Sequence, residues 1–191
     1  FRHYCKIFLM QNSSIGKKLA FILSTIHAGS ALKLWHKLVE YALSANPDQA
    51  FFVFPGGKLD SKNIPDHFRN DVYKLVNSSN VDGVISWASS ISGSVPVYEL
   101  ENFHNQSKFK NIPFVTIGQK VPGHPCVEFD AYTGMKELVK HFIKIHGARK
   151  IAFIRASQSH TSAEERFRGY KDALSEEGIP FDPKLVTEPL S

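Results

Sequence analysis

The chain has 191 residues, of which 42% are hydrophobic and 21% charged, a composition typical of a globular protein with a core of its own. Its formal net charge is +5, but lysine and arginine are interspersed with acidic residues, which favours a solvated mixed surface over a nucleic-acid site. The sequence contains no run of about 18 apolar residues, so no membrane span is predicted. Cys5 and Cys126 lie far apart and the nine histidines do not cluster, so neither a disulfide nor a metal site is predicted.

The first segment, Phe1–Gly16, begins with basic residues, but its apolar run is too short for a signal peptide. We interpret it as a disordered leader and expect a cytoplasmic protein.

Apolar runs alternate with helical patterns from residue 18 onward. The runs are continuous, as in strands buried on both faces of a parallel sheet. The predicted strands are Lys18–Ser24, Ala50–Phe54, Val81–Trp87, Ile112–Ile117 and Pro125–Phe129. The predicted helices are Ser30–Ala45, His67–Val76, Val95–Gln106 and Tyr132–His146. The last of them carries a predicted apolar face of Met135, Leu138, Val139, Phe142 and Ile145, and Gly147 is suited to end it.

The alternation of strands and helices continues past Gly147. A strand is predicted over Lys150–Ile154, then a helix to about Glu177 and a short strand near Leu185–Thr187. Strands alternating with helices predict an α/β doubly wound parallel sheet, with ligands bound at the carboxyl ends of the strands. One strand and one helix cannot enclose a core. We therefore predict a first lobe over residues 17–147 and the incomplete start of a second lobe over 148–191.

Two segments have a familiar pattern. Asp130-Ala-Tyr-Thr-Gly134, the helix to His146-Gly147 and Arg149-Lys-Ile-Ala-Phe-Ile154 resemble the "V..D…G…L..HLI..GH+RIA.I" pattern of the lac/gal repressor family. Ser162-Ala-Glu-Glu-Arg166-Phe-Arg-Gly169-Tyr170 is similar to that family's S…R..G[WYF] segment. The resemblance implies a periplasmic-binding-protein-like fold of type I, two lobes that close on a small polar ligand such as a sugar, and a homodimer.

The resemblance also implies that Arg166 holds the ligand. Ser162 and Arg166 lie four residues apart, on one face of the predicted helix. A surface salt bridge is the alternative for Arg166, and an N-cap within a Ser162-Ala-Glu-Glu165 capping box is the alternative for Ser162.

Polar and aromatic residues that follow the predicted strands are candidates for the first-lobe side of the same site. The candidates are Ser24, Thr25, His27, Trp87, Ser89, Asp130 and Tyr132. Ordinary packing is the alternative for Trp87 and an exposed loop position for His27. For Asp130 we favour capping of the following helix over ligand contact.

We expect no enzyme, catalytic residue or cofactor, since no phosphate-binding loop, dinucleotide fingerprint or nucleophile elbow is present.

Phe52-Val-Phe-Pro-Gly-Gly57 and Asn80-Val-Asp-Gly-Val-Ile85 resemble a subgroup in which this module precedes a GGDEF or histidine-kinase output domain. The first hypothesis is therefore a sensor module of a signalling protein that makes no direct nucleic-acid contact. The alternatives are a lac-type transcriptional regulator whose DNA-binding domain is missing from this chain, and an α/β enzyme. We also expect this chain alone to hold half a pocket and to bind sugars weakly.

Overall fold

The computed structural model describes residues 16–27, 29–59, 64–93, 95–106, 109–158 and 160–189. The predicted leader lies outside these ranges except for Gly16, whose amide donates to the Asp48 carbonyl at 2.8 Å. Cys5 also lies outside them.

A five-stranded parallel sheet forms the first half of the structure, in the order β2-β1-β3-β4-β5. The strands are β1 (Lys18–Leu23), β2 (Ala50–Pro55), β3 (Gly83–Ser86), β4 (Phe114–Ile117) and β5 (Cys126–Val127). All five predicted strands are confirmed; four are shorter than predicted, and β2 is one residue longer. The helices are α1 (Gly29–Ala45), α2 (Ile64–Arg69), α3 (Ala88–Ile91), α4 (Val97–His104), α5 (Ala131–His146) and α6 (Thr161–Glu176), with 3-10 turns at Asn70–Leu75 and Pro183–Leu185.

Alternate side chains of β1 enter two separate cores, one on each face of the sheet. Phe21 and Leu23 pack with the apolar stripe of α1. Ala20 and Ile22 pack with Tyr73 and with the buried side chains of α4. The α/β doubly wound fold predicted from the continuous apolar runs is therefore confirmed.

The helix after β2 differs from its prediction. It begins earlier, at Ile64, and continues as a 3-10 turn over Asn70–Leu75 rather than as one helix over His67–Val76. This turn brings the Tyr73 hydroxyl to within 2.9 Å of two backbone carbonyls, those of Leu23 and Gly57, to which it donates. Gly56 must be a glycine here, since a Cβ would lie 2.3 Å from the Tyr73 ring.

The predicted strand Lys150–Ile154 is wrong in extent. Only Phe153 pairs, in a single parallel bridge with Val186, and the predicted strand near Leu185–Thr187 is reduced to that bridge. A ladder requires a neighbouring strand along its whole length, and in the described residues this segment pairs only there.

The helix α5 packs on α6 rather than on the sheet. Its Val139 and Ile143 are buried in a third core with Tyr170, Ala173 and Leu174 of α6. The predicted apolar face of α5 is therefore only partly correct. Val139 is buried, but Leu138, Phe142 and Ile145 are 47%, 40% and 68% exposed. Our division at residue 147 stays a prediction, and this packing favours a division before Ala131.

The imidazole of His104 is a buried polar group of the first half, 1% exposed. Its Nδ1 lies 2.6 Å from the Leu100 carbonyl, which makes Nδ1 the donor, so that Nε2 accepts from the Ser86 hydroxyl at 3.0 Å. Burial is the main reason why the pKa of His104 falls from 6.5 to about 4. The Leu100 hydrogen bond opposes this decrease, and His124 adds to it.

We predict that acid destabilises the fold through His104. Its folded-state pKa is depressed, so its contribution is complete above pH 6.5 and is lost as the pH falls toward about 4. The shift corresponds to about 3 kcal/mol of unfolding free energy. Urea unfolding at about pH 7 and about pH 4.5 measures this loss.

His104→Gln should be less stable at neutral pH and should lose less unfolding free energy on acidification. His67→Asn, which replaces an exposed histidine, should behave as the wild type. An equal acid loss in His104→Gln would refute the assignment.

Candidate functional site

A cavity of about 340 Å³ lies between the carboxyl end of the sheet and the N-terminal turns of α6. One side is lined by residues at or after the ends of β3, β4 and β5: Trp87, Ser89, Gly118, Glu128, Phe129 and Ala131. The other side is lined by residues near and within the start of α6: Ala156, His160, Ser162, Ala163, Glu165 and Arg166. The cavity therefore lies where a parallel sheet is expected to bind its ligand.

Trp87 directly follows β3, and hydrogen bonds fix both its backbone and its side chain. Its amide donates to the Ile22 carbonyl of β1 at 2.8 Å, and its indole Nε1 donates to the Ser89 hydroxyl at 3.0 Å. The ring is 8% exposed and packs with Phe21 and Leu23, so it is both a core residue and part of the cavity wall. The two interpretations of Trp87 in the sequence are therefore compatible.

Gly118, which ends β4, leaves the space that Ser89 occupies. Its φ is +76°, and a Cβ at this position would lie 2.2 Å from the Ser89 hydroxyl oxygen and 3.5 Å from Trp87 Nε1. A side chain here would displace the serine from the cavity wall. The glycine is therefore required both by its backbone conformation and by the close approach of Ser89.

The segment after β5 contributes Glu128 and Phe129 to the cavity, and then Asp130 caps α5. The Phe129 ring is 72% exposed. The Asp130 carboxylate accepts from the Thr133 amide at 2.8 Å, which confirms the favoured capping interpretation, and this bond lowers the pKa of the carboxyl.

Helix α6 begins at Thr161, with His160 as its N-cap residue and no side-chain cap bond. The alternative of an N-cap at Ser162 is therefore wrong, because Ser162 is already the second helical residue. Ser162 and Arg166 lie on one face of α6, as their spacing predicts, and both line the cavity.

The structure thus brings together Trp87, Ser89, Ser162 and Arg166 from the nine candidates. The remaining five do not line the cavity: Ser24, Thr25, His27, Asp130 and Tyr132. The Thr25 hydroxyl accepts from the His27 amide at 3.2 Å. The Ser24 carbonyl accepts from the Arg69 guanidinium at 3.1 Å, and its amide donates to the Ser90 hydroxyl. The role of all nine in ligand binding stays a prediction.

Tyr132 has contacts of another kind. Its hydroxyl donates to the Asp172 carboxylate of α6 at 2.9 Å, and the Arg168 guanidinium lies 4.6 Å from its ring centroid. These contacts join α5 to α6 and give Tyr132 a packing role.

Four polar or aromatic residues of the cavity were not among the nine candidates: Glu128, Phe129, His160 and Glu165. Two of them could have been found. Phe129 is an exposed aromatic residue at the end of a predicted strand, and Glu165 precedes Arg166. His160 could not be identified from the sequence, because its position at the cavity depends on where α6 begins.

The cavity combines aromatic surfaces with hydroxyl and charged groups. Trp87 and Phe129 offer apolar ring surface, Ser89 and Ser162 offer hydroxyls, and Arg166 offers a fork of donors. Aromatic faces with a few convergent polar groups suit a small, polyhydroxylated ligand. Among the residues described, no group of three or more histidine, cysteine or carboxylate side chains could hold a metal ion.

The doubly wound sheet, with a cavity between its strand ends and a following helical unit, defines a ligand-binding domain of the periplasmic-binding-protein type. Residues 60–189, more than half of the chain, match the family model of periplasmic binding proteins and the sugar binding domain of the LacI family. The chain belongs to this family, as the two sequence patterns predicted.

Curated relatives of this chain are transcriptional regulators. GalR of Salmonella typhimurium is 39% identical over 84 residues, covering 42% of this chain and 24% of GalR. DegA of Bacillus subtilis is 29% identical over 118 residues, covering 61% of this chain and 33% of DegA. PurR of Haemophilus influenzae is 23% identical over 173 residues, 90% of this chain and 47% of PurR. The chain thus aligns with less than half the length of these relatives.

Solved structures share the fold. A LacI family transcriptional regulator of Mycobacterium smegmatis matches with a TM-score of 0.68 and 21% identity, over 89% of this chain and 55% of that one. The regulator CelR in complex with cellobiose matches with a TM-score of 0.63 and 23% identity, over 89% and 49%. Within the described residues, each helix is too short or too polar to cross a membrane.

We predict that Gly118→Ala disturbs the cavity wall. The positive φ and the Ser89 contact both oppose a Cβ, and the first alone costs about 1–2 kcal/mol. Gly123→Ala is the matched control, because Gly123 has a φ of +81° with no heavy atom within 4 Å of its Cβ position. Urea unfolding should show a larger loss for Gly118→Ala, and only this variant should change the tryptophan fluorescence. Equal losses with unchanged fluorescence would contradict the contact.

Proposed function

We propose that this chain is the ligand-binding part of a LacI/GalR-type transcriptional regulator, and that its cavity binds a sugar-like molecule. The observation that carries the proposal is that the cavity joins Trp87 and Ser89, at the sheet, to Ser162 and Arg166 of α6. A ligand with several hydroxyls can stack on an aromatic ring and bind the arginine at the same time.

The position of the cavity supports a mechanism based on movement of its two walls. The sheet side is built on the cores around β1, and the α6 side on the separate core shared with α5. A ligand that contacts both sides binds the closed arrangement more tightly than an open one. It therefore shifts the population toward closure through this difference in affinity alone.

The relatives favour the regulator over the signalling sensor with a GGDEF or histidine-kinase output domain. GalR, DegA and PurR are all named as transcriptional regulators or repressors rather than as enzymes. The proposal therefore takes up the alternative hypothesis of the sequence analysis. A bacterial transcriptional regulator acts in the cytoplasm, on DNA, so the expected cytoplasmic location is part of this proposal. The expected homodimer is part of it as well.

We predict that Arg166→Ala weakens sugar binding in the full-length protein. A charged hydrogen bond contributes about 1.5–3 kcal/mol, so the affinity should fall roughly tenfold to a hundredfold. A thermal-shift screen of pentoses, hexoses, disaccharides and purines identifies the ligand, and calorimetry then compares the variants.

Lys171→Ala is the control, since Lys171 is an exposed cation of the same helix outside the cavity lining. It should bind as the wild type. If no compound of the screen stabilises the protein, or if Arg166→Ala binds like the wild type, the proposed site is wrong.

A further inference from the structure

Two histidines face each other at the C-terminal end of α5, outside the cavity described above. The Nε2 atoms of His141 and His146 lie 3.2 Å apart, with ring centroids at 5.0 Å and an angle of 73° between the rings. Both side chains are exposed. The residues are five apart, and α5 ends at His146 because Gly147 takes the left-handed conformation.

The separation of these nitrogens is that of two imidazole ligands on one metal ion. Metal–nitrogen bonds of about 2.0–2.1 Å place two ligand nitrogens about 3.4 Å apart in a tetrahedral site, and about 2.9 Å apart as neighbours in a square-planar one. The observed 3.2 Å lies between these values. Both side chains can therefore reach one ion with small rotations.

The charges within α5 itself do not oppose a cation at this position. The end of a helix carries a partial negative charge in its last turn. The two nearest lysines of α5 are directed to acidic residues that follow in sequence: Lys140 lies 2.7 Å from the Glu176 carboxylate, and Lys144 lies 3.0 Å from that of Glu177. Their positive charges are thereby largely neutralised.

We propose that His141 and His146 form a binding site for one divalent transition-metal ion. Imidazole nitrogens suit copper, nickel and zinc, and Cu²⁺ should bind tightest of the three. Without metal, one Nε2–H donates to the other Nε2. On binding, that proton leaves Nε2, both rings carry their proton on Nδ1, and each Nε2 donates a lone pair to the ion. Water fills the remaining coordination positions, since the described residues hold no group of three or more ligands.

The test is a titration of the full chain with Cu²⁺ alone, followed by calorimetry and by electron paramagnetic resonance. The wild type should bind one ion with nitrogen couplings from two imidazoles. His141→Asn and His146→Asn should each retain one coupled nitrogen at most. Each should weaken binding by at least the roughly tenfold to hundredfold that loss of an outer-shell partner costs.

The control is His67→Asn, which removes an exposed histidine from α2 and should leave the signal unchanged. Because His141 and His146 are exposed, their variants should keep the circular dichroism spectrum of the wild type. The double variant should lose the site. A wild type without saturable binding, or a two-nitrogen signal that survives in the double variant, would overturn the proposal. Neither result bears on sugar binding at the cavity.

Discussion

The burial of β1 on both of its faces is the constraint on which the first half of the molecule depends. Phe21, Ile22 and Leu23 have no exposed surface, and β1 pairs with β2 on one side and with β3 on the other. A strand in this position must be apolar along its buried residues, here Ala20–Leu23, and must be covered by helices on both faces. The parallel direction then follows, since each helix returns the chain to the same end of the sheet.

This constraint also determines where a ligand can bind. The carboxyl ends of parallel strands lie at the same edge of the sheet. The backbone that follows each strand there is a loop that precedes the next helix. The Trp87 amide still bonds to β1 while its indole already reaches Ser89. Gly118 is the counterpart on β4, where the missing side chain makes room for that serine. The sheet thus fixes one cavity wall by hydrogen bonds that belong to the sheet itself.

The sequence predicted those parts of the fold that depend on local patterning. Continuous apolar runs located all five strands, and the helical pattern after the first run located α1, whose Ala31, Leu34 and Trp35 pack in the core of Phe21 and Leu23. Periodicity failed where the burial or pairing of a residue depends on which other element packs against it. On α5 the predicted apolar face included Val139, which α6 buries, but missed Ile143, which α6 buries as well. The Lys150–Ile154 run has strand composition, yet only Phe153 meets a partner.

The lining of the cavity was predictable only in part, for the same reason. Trp87 and Ser89 became candidates because they follow a strand, whereas Ser162 and Arg166 became candidates through the resemblance to the lac/gal repressor family and their shared helical face. The residues after β1 also follow a strand, but their polar groups are taken up locally, as with Thr25, whose hydroxyl accepts from His27. No sequence rule distinguishes a polar group engaged by its own loop from one directed into a cavity.

The pattern of Arg166, Gly169 and Tyr170 has a physical explanation in the packing of α6. The three residues are neighbours on the surface of α6, three and four residues apart, yet each position has its own requirement. Arg166 lines the cavity, and the Tyr170 hydroxyl donates to the Ile151 carbonyl at 2.9 Å from within the third core. Gly169 faces α5, where a Cβ would lie 2.5 Å from the Tyr132 carbonyl oxygen.

The close approach at Gly169 connects α5 to the cavity. It lets α6 lie against α5, and the Glu176 carboxylate then reaches Lys136 at 2.6 Å and Lys140 at 2.7 Å. Hydrogen bonds from these two lysines hold the pKa of Glu176 at about 2. The position of Arg166 is therefore set by the whole α5–α6 contact and not by its own loop. In the proposed function, a ligand bound to Arg166 would engage that unit as a body, as the proposed closure of one wall upon the other requires.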